Sequence, residues 1–151
     1  MKNIVLIACA AKKGKVKVQA KDLYQSALFK NSLAYAKKLN LDKIYILSAL
    51  YGVVNLEDEI EPYNVTLCQV GEKIKNKKPD LTSLTKEEVK SWGSKVISQL
   101  EFLGNDIEND NFIMLAGLPY INPLRNSLKN IEEPLKDLRL GERIKFLKEN
   151  V

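Results

Sequence analysis

Two short apolar runs, 36 residues apart, constrain this chain more than anything else in it. Ile4-Val5-Leu6-Ile7-Ala8 is continuous and partly β-branched, and it stops at Cys9. Ile44-Tyr45-Ile46-Leu47 is similar and stops at Ser48. Runs of this length without polar alternation suit strands covered on both faces, as in a parallel sheet. Between them, Leu23, Ala27, Leu28, Leu33, Ala34 and Ala36 form a helical stripe that opens at Asp22, placed as an N-cap, and ends near 38–40. Strand, helix and strand make a βαβ unit, which crosses over right-handed with its strands parallel.

Farther on, Thr85-Lys86-Glu87-Glu88 is a capping box. It opens a helix through Val89, Trp92, Val96, Ile97 and Leu100 that ends near Gly104. A third strand runs from Phe112 to Ala116. A short helix over 122–129 has Pro123 in its first turn, a short strand covers 131–135, and a last helix covers 141–150. Residues 10–21, rich in lysine, read as an exposed loop; 49–70 read as irregular, and 71–84 as a polar surface connection. At 151 residues the chain is expected to be one domain, large enough to bury roughly 68–70% of its unfolded surface. The expected fold is α/β: a single three-layer domain, residues 1–151, with a small, mainly parallel sheet flanked by helices.

In such a sheet a ligand binds at the carboxyl ends of the strands. Polar and aromatic residues gather there. Cys9 is placed as a nucleophile or as a small buried hydrophobe. Lys12 and Lys13 can hold an anion as point charges or sit solvated in their loop. Asp22 is a catalytic candidate as well as a cap, and Tyr24 and Ser26 lie beside it. After the second strand come Ser48, Tyr51 and Gly52. The glycine offers a positive φ or a close ligand approach, and Tyr51 offers a face for a planar ring. Glu61-Pro62-Tyr63 supplies the acid–base candidate, because the proline holds Glu61 extended and aromatic neighbours can desolvate it; the alternative is a surface glutamate. Gly117 and Tyr120 follow the third strand to the same edge, and Arg139 and Gly141 offer an anion contact or only a cap.

Composition narrows the chemistry. There is no histidine, so Ser–His and Cys–His catalysis and every histidine metal site are excluded. The two cysteines, Cys9 and Cys68, lack metal or C-x-x-C spacing. No metal and no cofactor is expected. No run approaches the ~20 apolar residues of a membrane span, so a cytoplasmic, membrane-free protein is expected. The net charge of +5 is compatible with a polyanion, but it comes mainly from lysine; the only arginines are Arg125, Arg139 and Arg143.

The motifs have a familiar order. Cys9 to Lys13, Ala20-Lys21-Asp22-Leu23-Tyr24-Gln25-Ser26-Ala27-Leu28-Phe29, Leu47-Ser48-Ala49-Leu50-Tyr51-Gly52-Val53-Val54, Pro62-Tyr63-Asn64-Val65-Thr66-Leu67 and Leu115-Ala116-Gly117-Leu118-Pro119-Tyr120 resemble an uncharacterised bacterial, archaeal and phage domain family. That pattern carries serine, arginine and aspartate where this chain has Ala8, Lys21 and Asn64. The family is similar at a distance to the YaaA peroxide-stress proteins, associated with DNA binding, and to the core domain of archaeosine synthase, which modifies a deazapurine in transfer RNA. The resemblance implies a nucleobase, nucleotide or nucleic acid as partner. The leading expectation is therefore an enzyme acting on a nucleobase, nucleotide or modified nucleic acid, by N-glycosidic cleavage or base modification. The alternative is a non-catalytic module that holds nucleic acid with its lysine-rich loop.

Overall fold

The first apolar run becomes the centre of the sheet. In a computed structural model, which describes residues 1–10, 12–67 and 80–151, strand β1 (Asn3–Ala8) lies between β3 (Lys43–Ser48) and β8 (Asn111–Leu115), parallel to both. Ile4, Val5 and Leu6 are wholly buried, because strands on both sides and helices on both faces leave the run no exposed edge. The sheet order is β4-β3-β1-β8-β9, with β4 (Gly52–Asn55) antiparallel at one edge and β9 (Asn130–Glu132) parallel at the other. The fold is α/β, with a mainly parallel sheet.

Helices cover both faces. Helix α2 (Ala27–Leu39) packs on β1 and against the last helix, α5 (Leu140–Glu149). Helix α3 (Lys86–Phe102) packs on β4 and against a 3₁₀ turn at Asn122–Leu124. The Thr85–Glu88 capping box forms as expected, and Trp92, Val96 and Leu100 make the buried stripe of α3. No helix among the described residues is long and apolar enough to cross a membrane.

Four local expectations are corrected. Asp22 is not the cap of a long helix. A short helix α1 (Ala20–Leu23) ends at Tyr24, and α2 starts afresh at Ser26, whose Oγ accepts the Phe29 N–H at 3.1 Å. The break, with Tyr24 extended between the two helices, turns Tyr24 into the core, where it is 1% exposed. Second, residues 10–21 are not all exposed loop: β2 (Val18–Gln19) pairs antiparallel with β5 (Glu59–Ile60), and Ala20 is buried. Third, the stretch after β3 is not irregular, since it returns as β4 and then β5, with β6 (Val65–Thr66) pairing with β7 (Thr82–Ser83). Gly52 makes the first return, at φ +79. Fourth, the helix placed over 122–129 is instead α4 (Leu118–Ile121) running into the 3₁₀ turn, with Pro119 rather than only Pro123 opening a helical turn. Cys68 and most of the polar connection, up to residue 79, lie outside the described residues.

Candidate functional site

The order of strands locates the site. From the carboxyl end of β1 the chain crosses toward β3, whereas from the end of β8 it crosses the other way, toward β9. The crevice between β1 and β8 is therefore the topological switch point, where open α/β sheets bind ligands. A side-chain contact bridges it: Cys9 Sγ, directly after β1, lies 3.2 Å from Tyr120 Oη, which follows β8. Tyr120 is itself braced edge-on by Trp92, with ring centroids 5.8 Å apart.

On the β3 side stands a hydrogen-bonded chain of hydroxyls. Ser48 Oγ donates to Tyr63 Oη at 2.8 Å, and Tyr63 Oη lies 2.6 Å from Tyr24 Oη. Ser48 Oγ also accepts the N–H groups of Leu50 (3.2 Å) and Tyr51 (3.0 Å). Both of its lone pairs are thereby used, so its proton must go to Tyr63. Proton counting then has a consequence. Ser48, Tyr63 and Tyr24 carry one proton each, and two bonds join them, so one phenolic proton is not used in the bonds among the three. Tyr63 donating to Tyr24 leaves that proton on Tyr24. Burial pushes both phenols above the ordinary tyrosine range, and the neighbouring Cys9 adds to it. Both are neutral donors throughout the physiological range.

Lys13 completes this wall. A lone bridge to Tyr24 and the Gly14 N–H bond to Leu23 O (2.9 Å) fold the loop back on itself. The Lys13 ammonium then lies over the Tyr63 ring, 4.4 Å from its centroid, and 5.8 Å from that of Tyr24. A cation on a ring face is favourable by about 0.5–2 kcal/mol. Lys12, by contrast, is exposed, and its carbonyl accepts the Gln25 N–H. Tyr51 packs edge-on to Tyr63 at 5.5 Å.

Cys9, Lys13, Tyr24, Ser48, Tyr51, Tyr63 and Tyr120 are thus gathered at one end of the sheet. Others have different surroundings. Glu61 is exposed and meets Tyr51 through its backbone carbonyl, 3.5 Å from the phenol. Asp22 is exposed on a shallow cleft of about 340 Å³ with Lys21, Gln25 and Lys30. The Ser26 hydroxyl is occupied as a helix cap. At Gly52 the space of a side chain is filled by Gln99, whose carboxamide oxygen would clash with a Cβ there. That carboxamide bonds Val53 N (2.8 Å) and Tyr51 O (3.1 Å), so the close approach at Gly52 is from α3. Trp92 and Arg143 were not singled out from sequence. Trp92 Nε1 donates to Ser48 O at 2.8 Å, and Arg143 Nη1 would lie 3.5 Å from a Cβ on Gly117. Trp92 read as helix core, and its polar edge was the available signal.

A wider apolar groove of about 820 Å³ runs between α3 and the turn after β8, past Val89, Gly93, Ile97, Pro119 and Pro123. It meets the strand ends at Pro119, next to Tyr120.

A model of a family of unknown function, DUF6884, matches residues 4–149, nearly the whole chain. The chain belongs to the DUF6884 family. No curated protein and no solved structure matches it. In this DUF6884 member, the matched span includes every residue of the tyrosine–serine chain and the Cys9–Tyr120 bridge.

Proposed function

We propose that the protein is an enzyme acting on a nucleobase, nucleotide or modified nucleic acid, by N-glycosidic cleavage or base modification. The observation that carries this reading is the chain of hydroxyls on the β3 side of the switch point, with one phenolic proton more than the bonds between its three members use, set among aromatic rings. A planar heterocycle offers the complementary chemistry: a face for Tyr51 and a carbonyl oxygen or ring nitrogen for the tyrosine donor. The raised phenols are suited to stabilising charge on a leaving base by hydrogen bonding, not to surrendering their protons. In glycosidic cleavage, water attacks the sugar carbon as its bond to the base breaks, and Glu61 at the rim takes the proton of that water. Cys9 is the nucleophile if base modification is the reaction. The likeness of the motifs to YaaA proteins and archaeosine synthase points to the same ligand class.

The test is a thermal-shift screen of bases, nucleosides, nucleotides and oligonucleotides. A ligand at about 100 times its Kd stabilises by about 2.7 kcal/mol, a rise of several degrees. The expected result is a shift from small ligands that is lost in Tyr24→Phe, with Glu61→Gln retaining the shift but losing turnover. Silence across the panel sinks the reading. A second reading, a nucleic-acid-binding module, is favoured by the exposed Lys12, Lys15 and Lys17 on one loop. It is the outcome if only oligonucleotides shift the protein and salt abolishes the effect.

A further inference from the structure

The three arginines have different fates. Arg125 is committed to Glu133, with Nη1 and Nη2 at 2.9 and 3.2 Å from its carboxylate. Arg139 is exposed. Arg143 is half-buried on α5, and its Nε donates to Leu138 O at 2.9 Å. That bond fixes the plane of the guanidinium and leaves its outer edge, Nη1 and Nη2, to other partners. Among the described residues, no carboxylate forms an ion pair with it.

Its place in the fold gives the fixed edge a purpose. Nη1 lies beside Gly117, two residues beyond the end of β8 and three before Tyr120. The group therefore stands at the carboxyl end of the sheet, on the α2–α5 side of the crevice bridged by Cys9 and Tyr120. Gly117 presents no side chain there, and this lets Nη1 stand close to the backbone of the β8 turn, next to Pro119. A half-buried, pre-oriented fork matches a tetrahedral or planar oxyanion bidentately, which a lysine cannot do.

We infer that Arg143 forms an oxyanion subsite at the switch point and that the ligand of the adjacent aromatic site carries a phosphate. This rests on the proposed function and deepens it: the ligand is a nucleotide, free or within a strand, and not a free base. Lys13, held over the tyrosine rings, then faces the heterocycle end, and Arg143 takes the phosphate end.

The experiment compares nucleosides of the four bases with their 5′-monophosphates, by calorimetry, on the whole chain. In the wild type the monophosphate of the preferred base binds tighter than its nucleoside by about tenfold or more, the range of one charge-assisted hydrogen-bonded pair. Arg143→Gln collapses that ratio toward one and leaves the nucleoside affinity unchanged; Arg143→Lys keeps part of it, because the charge stays and the fork goes. A ratio near one in the wild type, or a ratio unchanged in Arg143→Gln, overturns the inference while leaving the nucleobase reading intact. Inorganic pyrophosphate is the independent probe, followed by NMR at the Arg143 Nε–H. A saturable shift with no binding of any nucleoside or nucleotide keeps the subsite and defeats the nucleobase reading. No shift with pyrophosphate and no phosphate preference defeats the subsite. Circular dichroism of both variants confirms that each remains folded.

Discussion

The two ends of the sheet both carry polar networks, and they are built to opposite plans. At the amino end, Asp110 is buried and accepts the N–H groups of Lys2 and Asp106, both at 2.8 Å, with the Lys2 ammonium 3.8 Å away. Asn105 gives its amide to Leu100 O at 2.9 Å and Tyr45 Oη at 3.2 Å. Asp42 takes the Asn3 N–H at 2.7 Å. Charges there meet opposite charges, and donors meet acceptors. At the carboxyl end, the chain from Ser48 through Tyr63 to Tyr24 closes every bond but one. A closed network holds strands in place; the other has one donor more than the bonds among its own three members use.

The contrast can be broken most sharply at the hydroxyls. Tyr24→Phe should lower turnover by about 10²–10⁴-fold and also lower the melting point by a few degrees, since Ser48 still bonds Tyr63 but the buried Tyr63 hydroxyl loses its partner, at a cost of about 1–3 kcal/mol. Unchanged turnover on the identified substrate would show the surplus proton to be idle. At the other end the effects should invert. Asp110→Ala leaves two backbone N–H groups without their acceptor and should cost about 2–4 kcal/mol in urea denaturation, while the Tm gain from ligand persists. If ligand response disappears along with stability, the two ends are coupled and the division fails.

The third and gentlest probe is alkaline pH. Tyr24 and Tyr63 hold their protons more tightly folded than unfolded. Their contribution is therefore complete below the ordinary tyrosine range and is lost as pH rises through it, while the unfolded chain ionises first. Each adds a slope approaching 1.4 kcal/mol per pH unit above about pH 10. The Tyr24→Phe, Tyr63→Phe double variant should show the shallower fall, read from urea midpoints. The amino end answers with the opposite sign. Burial disfavours the Asp110 carboxylate, but its two N–H bonds and Lys2 outweigh that and hold it below the usual range, so its contribution is lost as pH falls.

How far the sequence foretold this depended on the range of the interactions. Strands β1, β3 and β8 and the helix from Thr85 were legible because apolar runs and capping boxes are local signals. Strand β4 was missed because its cause lies far off: Gln99, on α3, clamps the turn at Gly52. The sequence reading put the cap at Asp22, and the helix instead starts at Ser26, because Tyr24 between them turns inward to reach Tyr63, 39 residues on. Cys9, Tyr24, Ser48, Tyr63 and Tyr120 were suspected one by one, from their place after strands and within motifs. What no single stretch contains is the proton count that joins them, or the half-buried setting that separates Arg143 from Arg125 and Arg139.

The central position of β1 also governs the order in which the protein is made. Its register with β3 joins residues about 39 apart, but its register with β8 joins Asn3 to Asn111. A chain emerging from the ribosome can pair the first edge after some fifty residues, whereas the second edge must wait until β8 appears. For most of synthesis the strand that becomes the most protected keeps one face of its hydrogen-bonding groups open. Long-range parallel pairing of this kind is slow, and it exposes strand edges to neighbouring chains while it waits. The same ordering brings Ser48 and Tyr24 into reach before Tyr63 has been added, and Cys9 meets Tyr120 only after β8 has emerged, so the bridged crevice comes into being late, with β9 and α5 still to follow.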